Sequence, residues 1–485
     1  MTIILMVNFM NLILKRIQKE FNLTPDLIIK ELFFNKKQTL YIIFLETICS
    51  SNKVNDYVLK PLIATNDKKK INKKNFQNFI AGPNTILIDK IDKIEFYLTN
   101  GFTIIILKDK VYAIETKGDL SRSISPNEVQ MSINGPKDSF TENYQTNIGL
   151  IKRRIKSNTL KIENIFVGRK TNTNVGILYF SDIADDKLVN DVIKRLEKID
   201  IDGIVDSSTI SYLIDNENKT LFPTVKYSER PDEVAIELMR GKIVLIVDTS
   251  PFALIIPSFF IDFINPSIDN YNKTKNINYI KILRLIAFVI AMITPGFYNA
   301  LLCFNPESIP RSLLINFSIQ REGVPFPLII ETIIMLIVCD ILKESDLRFP
   351  SNYGTAISIL GAIVLGQAAV DAGIASPVII IIIAITFIAS LSFTDIEISN
   401  ALRYFTFIFL ILSGFFGLYG IFLASMYFLI YICSINSFNK PYFAPIAPFN
   451  KNYFFNTVFK KSIQKDKSRS SLLTNKNKTK QEENS

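Results

Sequence analysis

The chain has 485 residues, no histidine, four cysteines and a formal net charge of +10. Without imidazole there can be no Ser-His-Asp triad, no Cys-His dyad and no ordinary zinc site of the histidine type. The basic runs Lys68-Lys69-Lys70 and Lys73-Lys74, and the tail after Phe459, lack interleaved aromatics, so they point away from nucleic acid and toward the cytoplasmic flanks of a membrane protein.

Met1–Leu14 is apolar, and its first charge, Lys15, follows the apolar run, the reverse of a secretory signal. It is expected to be a docking helix, with Met10 an equally serviceable start. Thr39–Leu45 suits a strand and Asn55–Ile63 a helix. Phe102–Leu107 and Val111–Glu115, β-branched and separated by a short charged turn, form a hairpin. These elements make a first cytoplasmic α/β subdomain, residues 1–120.

A second α/β subdomain spans 121–240. After the turn-rich stretch Ser121–Glu142, Val175–Phe180 reads as a strand, and Asp185 or Asp186 can cap a helix whose Leu188, Val192, Leu196 and Ile199 share one face. In Ser228-Glu229-Arg230-Pro231-Asp232 the proline disfavours an α conformation at Arg230, so a turn is expected there, with Asp232 capping a helix from Glu233. Ile243–Val247 reads as a buried strand and Phe252–Phe263 as an approach to the membrane surface, within a junction spanning 241–278.

From 279 to 433 the chain turns apolar. Segments are expected at Ile280–Leu302, Pro325–Leu342, Ala356–Val370, Pro377–Thr394 and Tyr404–Cys433; the fourth has no charge over about 18 residues, enough to cross about 30 Å of hydrocarbon. The second carries Glu331 and Asp340, carboxylates costly in lipid, so it is packed inside a bundle or re-entrant. The fifth holds Gly414, Gly417 and Gly420, and is one long tilted helix or two broken near Gly417. Four crossings are expected, with six the alternative. Gln367 and Asp371 fall on one face of the third segment, whose small residues Ser358 and Gly361 suit either close helix packing or a polar path. The cysteines Cys49, Cys303, Cys339 and Cys433 have no CxxC spacing and read as small hydrophobes in a reducing compartment. Residues 434–485 are expected to be a cytoplasmic tail, disordered after about 459.

One ordered string of residues carries a resemblance. It runs through Arg122, Pro126, Glu128, Gly135-Pro136, Phe140, Glu142, Thr146-Asn147-Ile148, Arg153, Ser228-Glu229-Arg230-Pro231-Asp232, Gly241, Val247-Asp248 and Pro251-Phe252. It continues through Pro295, Pro306-Glu307, Ile309-Pro310, Arg321 to Pro327, Glu331, Leu347-Arg348, Pro350, Gly366 to Val370, Ala372-Gly373 and Pro441 to Pro445. In this string the chain resembles the A subunits of the spore-germination GerA (GerABKA) family. It departs at Asn305, where the family commonly has histidine, and at Thr224, where glutamine is common.

The resemblance implies a germinant-receptor A subunit in the spore inner membrane, working with a permease-like B subunit and a lipoprotein C subunit. It further implies a homo-oligomeric, cation-conducting channel, with no cofactor and no enzymatic activity. It favours the polar path over simple packing and makes Ser358, Ile363, Val364, Gln367 and Asp371 the pore-lining candidates. Glu229, Arg230, Asp232, Asp248 and Glu331 are the candidates for coupling the soluble and membrane parts. A permease acting alone is the alternative, although no internal repeat is visible.

Overall fold

The computed structural model describes residues 2–35, 38–64, 76, 80, 82, 84–88, 90–107, 110–118, 135–215, 220–348, 366–393, 395–449, 454, 459, 466–474 and 476–481. Two compact units emerge. One comprises Met1–Asn218, Val225–Ser258 and Ile463–Ser485; the other comprises Lys219–Thr224 and Phe259–Ser462.

The first unit holds two antiparallel five-stranded sheets. The first has the order β1 (Leu27–Asn35), β2 (Gln38–Leu45), β4 (Phe102–Leu107), β5 (Lys110–Glu115) and β3 (Thr85–Ile88). The predicted hairpin is β4 with β5, closing at Leu107 opposite Lys110. Successive side chains leave a strand on opposite faces, and here both faces are covered. Ile104 and Ile106 pack with Met10, Ile13, Leu14 and Ile17 of the Thr2–Glu20 helix. Ile105 and Leu107 pack with Val54, Val58 and Leu62 on the opposite side. That is why the strand is an unbroken apolar run, and why the N-terminal segment becomes a docked helix.

The second sheet has the order β6 (Leu160–Val167), β7 (Thr173–Phe180), β9 (Ile243–Val247), β10 (Ala253–Ile256) and β8 (Lys226–Ser228). One face is covered by the helices Tyr144–Arg154 and Pro231–Arg240. Asn143 caps the first of these, accepting from the Thr146 N–H at 2.9 Å. Asp185, rather than Asp186, caps the helix Asp186–Glu197, whose Leu188, Val192 and Leu196 are buried.

Three boundaries differ from the sequence reading. Ala253–Ile256, expected to approach the membrane, is a buried strand paired with both β9 and β8. Asp248 to Pro251 makes the turn that allows this, with Thr249 at φ 69°. Residues 241–258 therefore complete the second sheet and do not form a junction. The tail is also ordered beyond 459: Ser468 bridges to Thr479 and Leu473 is buried. Arg469 Nε donates to the Met239 carbonyl at 3.0 Å, and Lys476 pairs with Asp186 at 2.7 Å. An apolar anchor, an arginine on a free carbonyl at a helix C-terminus and a lysine paired with a carboxylate at a helix start account for this order.

The second unit is helical. Its main helices are Thr274–Phe304, Arg311–Gln320, Leu328–Arg348, Pro377–Ser390 and Ile396–Ser434. Two of them, Thr274–Phe304 and Ile396–Ser434, are long and apolar enough to cross a membrane. The latter is broken at Gly417, whose φ of 61° and ψ of −138° lie outside helical geometry. An aromatic core forms around Phe222, Phe260, Phe288, Phe405 and Phe428. Phe222 stacks on Phe405 at 5.8 Å, and the neighbouring Leu221 N–H donates to Tyr431 Oη at 2.7 Å. Residues 219–224 belong to this unit for that reason.

Candidate functional site

In the first unit three of the four coupling candidates, Glu229, Arg230 and Asp232, lie at the start of the Pro231–Arg240 helix. Arg230 adopts an extended conformation, as the following proline requires, and Pro231 occupies the first helical position. The helix thus begins two residues before Glu233. Asp232 is not its cap, a correction of the sequence reading: its carboxylate instead takes the Arg230 guanidinium in two bonds, Nε to Oδ1 at 3.2 Å and Nη2 to Oδ2 at 2.8 Å. Both side chains are almost wholly buried. The Glu229 carbonyl accepts from the Phe140 N–H at 2.8 Å, tying the turn to the start of the subdomain.

Five further charges, missed from sequence, complete the cluster. Lys226 Nζ lies 2.8 Å from Glu233 Oε1, and Ser228 Oγ donates to Glu233 Oε2 at 2.6 Å. Glu237 faces Arg240 at 2.5 Å and Lys242 at 2.8 Å. Burial works against the Glu237 charge, yet Arg240, Lys242 and Lys226 outweigh it and hold the carboxyl down to about 2. Buried carboxylates each paired with a cation make a rigid clamp, not an acid–base pair poised for proton transfer. The one available sequence signal was the charge density from Lys226 to Lys242. Asp248 stands apart from this cluster, in the turn after β9, accepting from the Thr249 N–H at 3.1 Å.

In the helical unit, Glu331 is fully buried in the first turn of Leu328–Arg348, so that helix is packed inside the unit. Its Oε1 accepts from the Ser376 N–H at 2.6 Å, and its Oε2 lies 3.8 Å from Arg321 Nε. Farther along the same helix, Asp340 pairs with Arg403 at 3.1 Å. Gln367 and Asp371 do share a face of the short helix Gly366–Asp371; both are exposed, and Gln367 Nε2 donates to Asp371 Oδ1 at 3.0 Å. Ser358, Ile363 and Val364 lie outside the described residues. Asn305 ends the Thr274–Phe304 helix, its N–H bonded to the Leu301 carbonyl at 3.2 Å and its side chain to Glu307 at 3.2 Å.

The sequence model of the family described as Bacillus/Clostridium GerA spore germination protein matches residues 15–472. The chain belongs to the GerA spore germination family. Among GerA relatives, spore germination protein KA of Bacillus subtilis (strain 168) is 35% identical over 474 residues, covering 96% of this chain and 86% of its own. The uncharacterized membrane protein YfkQ of the same organism is 31% identical over 430 residues, covering 88% and 84%. The crystal structure of the N-terminal domain of the A subunit of the Bacillus megaterium spore germinant receptor GerK3 aligns at 30% identity with a TM-score of 0.40, covering 52% of this chain and 95% of that one. This GerA chain thus stands among the family's A subunits and acts in spore germination.

Proposed function

We propose that this GerA protein is a subunit of a nutrient germinant receptor in the spore inner membrane, forming a homo-oligomeric, cation-conducting channel together with a permease-like B subunit and a lipoprotein C subunit. The α/β unit and the tail face the cytoplasm and pass the signal to the membrane part without catalysis. The observation that carries this reading is the match to GerA over residues 15–472, embracing both the α/β unit and the apolar helices. The exposed carboxylate of Asp371 supports it, since a ring of such groups at a pore mouth concentrates cations.

The test is single cysteines placed from Ser358 to Asp371 and treated with a water-soluble thiol reagent in germinating spores. Reactive positions at helical spacing, with altered ion release, support a pore there. No reaction at any position moves the pore elsewhere. Spores lacking the gene, tested against individual nutrients, identify the germinant.

A further inference from the structure

In the part of the helical unit that holds the buried Glu331 carboxylate, four buried side-chain oxygens have no hydrogen-bond partner among the described residues. The Glu331 Oε2 is one of them; the Ser376 Oγ, Tyr298 Oη and Asn299 Oδ1 are the others. Ser376 is adjacent by construction, since its N–H binds the other Glu331 oxygen. Asn299 is placed by its Nδ2, which donates to the Pro295 carbonyl at 3.1 Å and to Oγ1 of Thr332, the residue after Glu331, at 3.0 Å. Those two bonds use the amide nitrogen and leave Oδ1 as acceptor only. Tyr298 is within electrostatic range of both Glu331 and Arg321. Buried polar groups in folded proteins are nearly always satisfied, and one carboxylate among neutral oxygens is the ligand chemistry of a hard cation.

The single negative charge sets the valence of the ion. Arg321 is the resident counter-ion, but at 3.8 Å its Nε makes no hydrogen bond, and its side chain is 27% exposed where that of Glu331 is fully buried. An arginine so placed can swing to water while the carboxylate cannot.

We propose that Glu331, Ser376, Tyr298 and Asn299 form a binding site for a monovalent metal cation, which displaces Arg321 from Glu331. The site has two occupied forms, arginine-bound and cation-bound, and the local net charge is the same in both. It lies within the helical unit of this one chain and is read out by binding, so it stands or falls independently of the pore assignment.

The full-length protein in detergent is titrated with KCl or NaCl, with choline chloride holding ionic strength constant, and its melting temperature is followed. The expected result is a saturable rise with one of the two ions over choline. Arg321→Gln, which removes the competitor, lowers the half-saturating concentration by about tenfold or more, and Glu331→Gln abolishes the rise. Identical melting in potassium, sodium and choline, for both the native protein and Arg321→Gln, overturns the proposal, as does a rise that survives in Glu331→Gln. Should Glu331→Gln not fold, Ser376→Ala decides: weaker ion dependence supports the site and unchanged dependence overturns it.

Discussion

Lys152 Nζ lies 2.5 Å from Asp26 Oδ1, and both side chains are more than nine-tenths buried. Asp26 precedes β1 of the first sheet, and Lys152 stands on the helix that packs on the second, so this ion pair bolts the two α/β subdomains together. Thr47 Oγ1 donates to the other Asp26 oxygen, leaving the carboxylate well bonded. Burial pushes the Lys152 ammonium below its usual range, with Asp26 pulling the other way.

Breaking that pair from one side strands a buried charge. Asp26→Leu or Lys152→Met alone is expected to destabilise the protein by about 3–5 kcal/mol, while the two together recover most of the loss. Denaturant unfolding of the four proteins checks this; additive losses in the double variant would remove the case for an ion pair.

The Arg230–Asp232 bonds predict a pattern opposite to helix capping. A capping role would let Asp232→Asn pass with little loss, because asparagine caps well. The bidentate pair instead requires the charge, so Asp232→Asn and Asp232→Ala should both cost about 3 kcal/mol or more. Arg230→Lys should not rescue, since an ammonium lacks the planar fork. Melting of the three variants separates the two roles.

Stability should fall in acid through Glu237. Its carboxyl titrates near 2 in the fold against an ordinary 4.5, so the folded state binds fewer protons than the unfolded one through this interval. The stabilisation is fully present above 4.5 and is lost as the pH drops toward 2. Melting temperature measured across that interval should be less pH-dependent in Glu237→Gln, at the cost of a lower value at neutral pH.

Gly417 should tolerate no side chain. Its φ of 61° is left-handed, and a Cβ there would meet the Phe304 Cβ at 2.8 Å. Gly417→Ala is expected to cost at least about 1 kcal/mol from backbone strain alone. The yield of folded protein from membranes measures it, with Gly366→Ala, whose Cβ would meet nothing nearer than Ile380 Cγ2 at 3.8 Å, as the comparison.

Leu473 anchors the tail, with its carbonyl 3.5 Å from where a Cβ of Gly241 would stand. Leu473→Ala should cost about 2 kcal/mol or more of local docking, and should make residues 466–481 readily cleaved by trypsin. Protection equal to the native protein's would show that the polar bonds of Arg469 and Lys476 suffice.

Local pattern determined much of this protein. The β-branched run of Phe102–Leu107 with its charged turn, the capping aspartate at Asp185, the extended Arg230 before Pro231 and the glycine break at Gly417 are each fixed by residues within a few positions of one another, as are the long apolar helices. The ordered string from Arg122 to Pro445 also carried the GerA family, which no single motif could. Tertiary structure alone decided the rest, because burial and pairing join distant positions. Ala253–Ile256 is apolar enough for a membrane approach, and became a central strand only because β8 and β9 offered unpaired backbone on both sides. Asp232 could have capped a helix; a guanidinium two residues away took it instead. Asp26 and Lys152, 126 positions apart, and Arg321 facing Glu331 across a proline-rich turn, carry no local signature at all. Their energy comes from exclusion of water, which a sequence does not display.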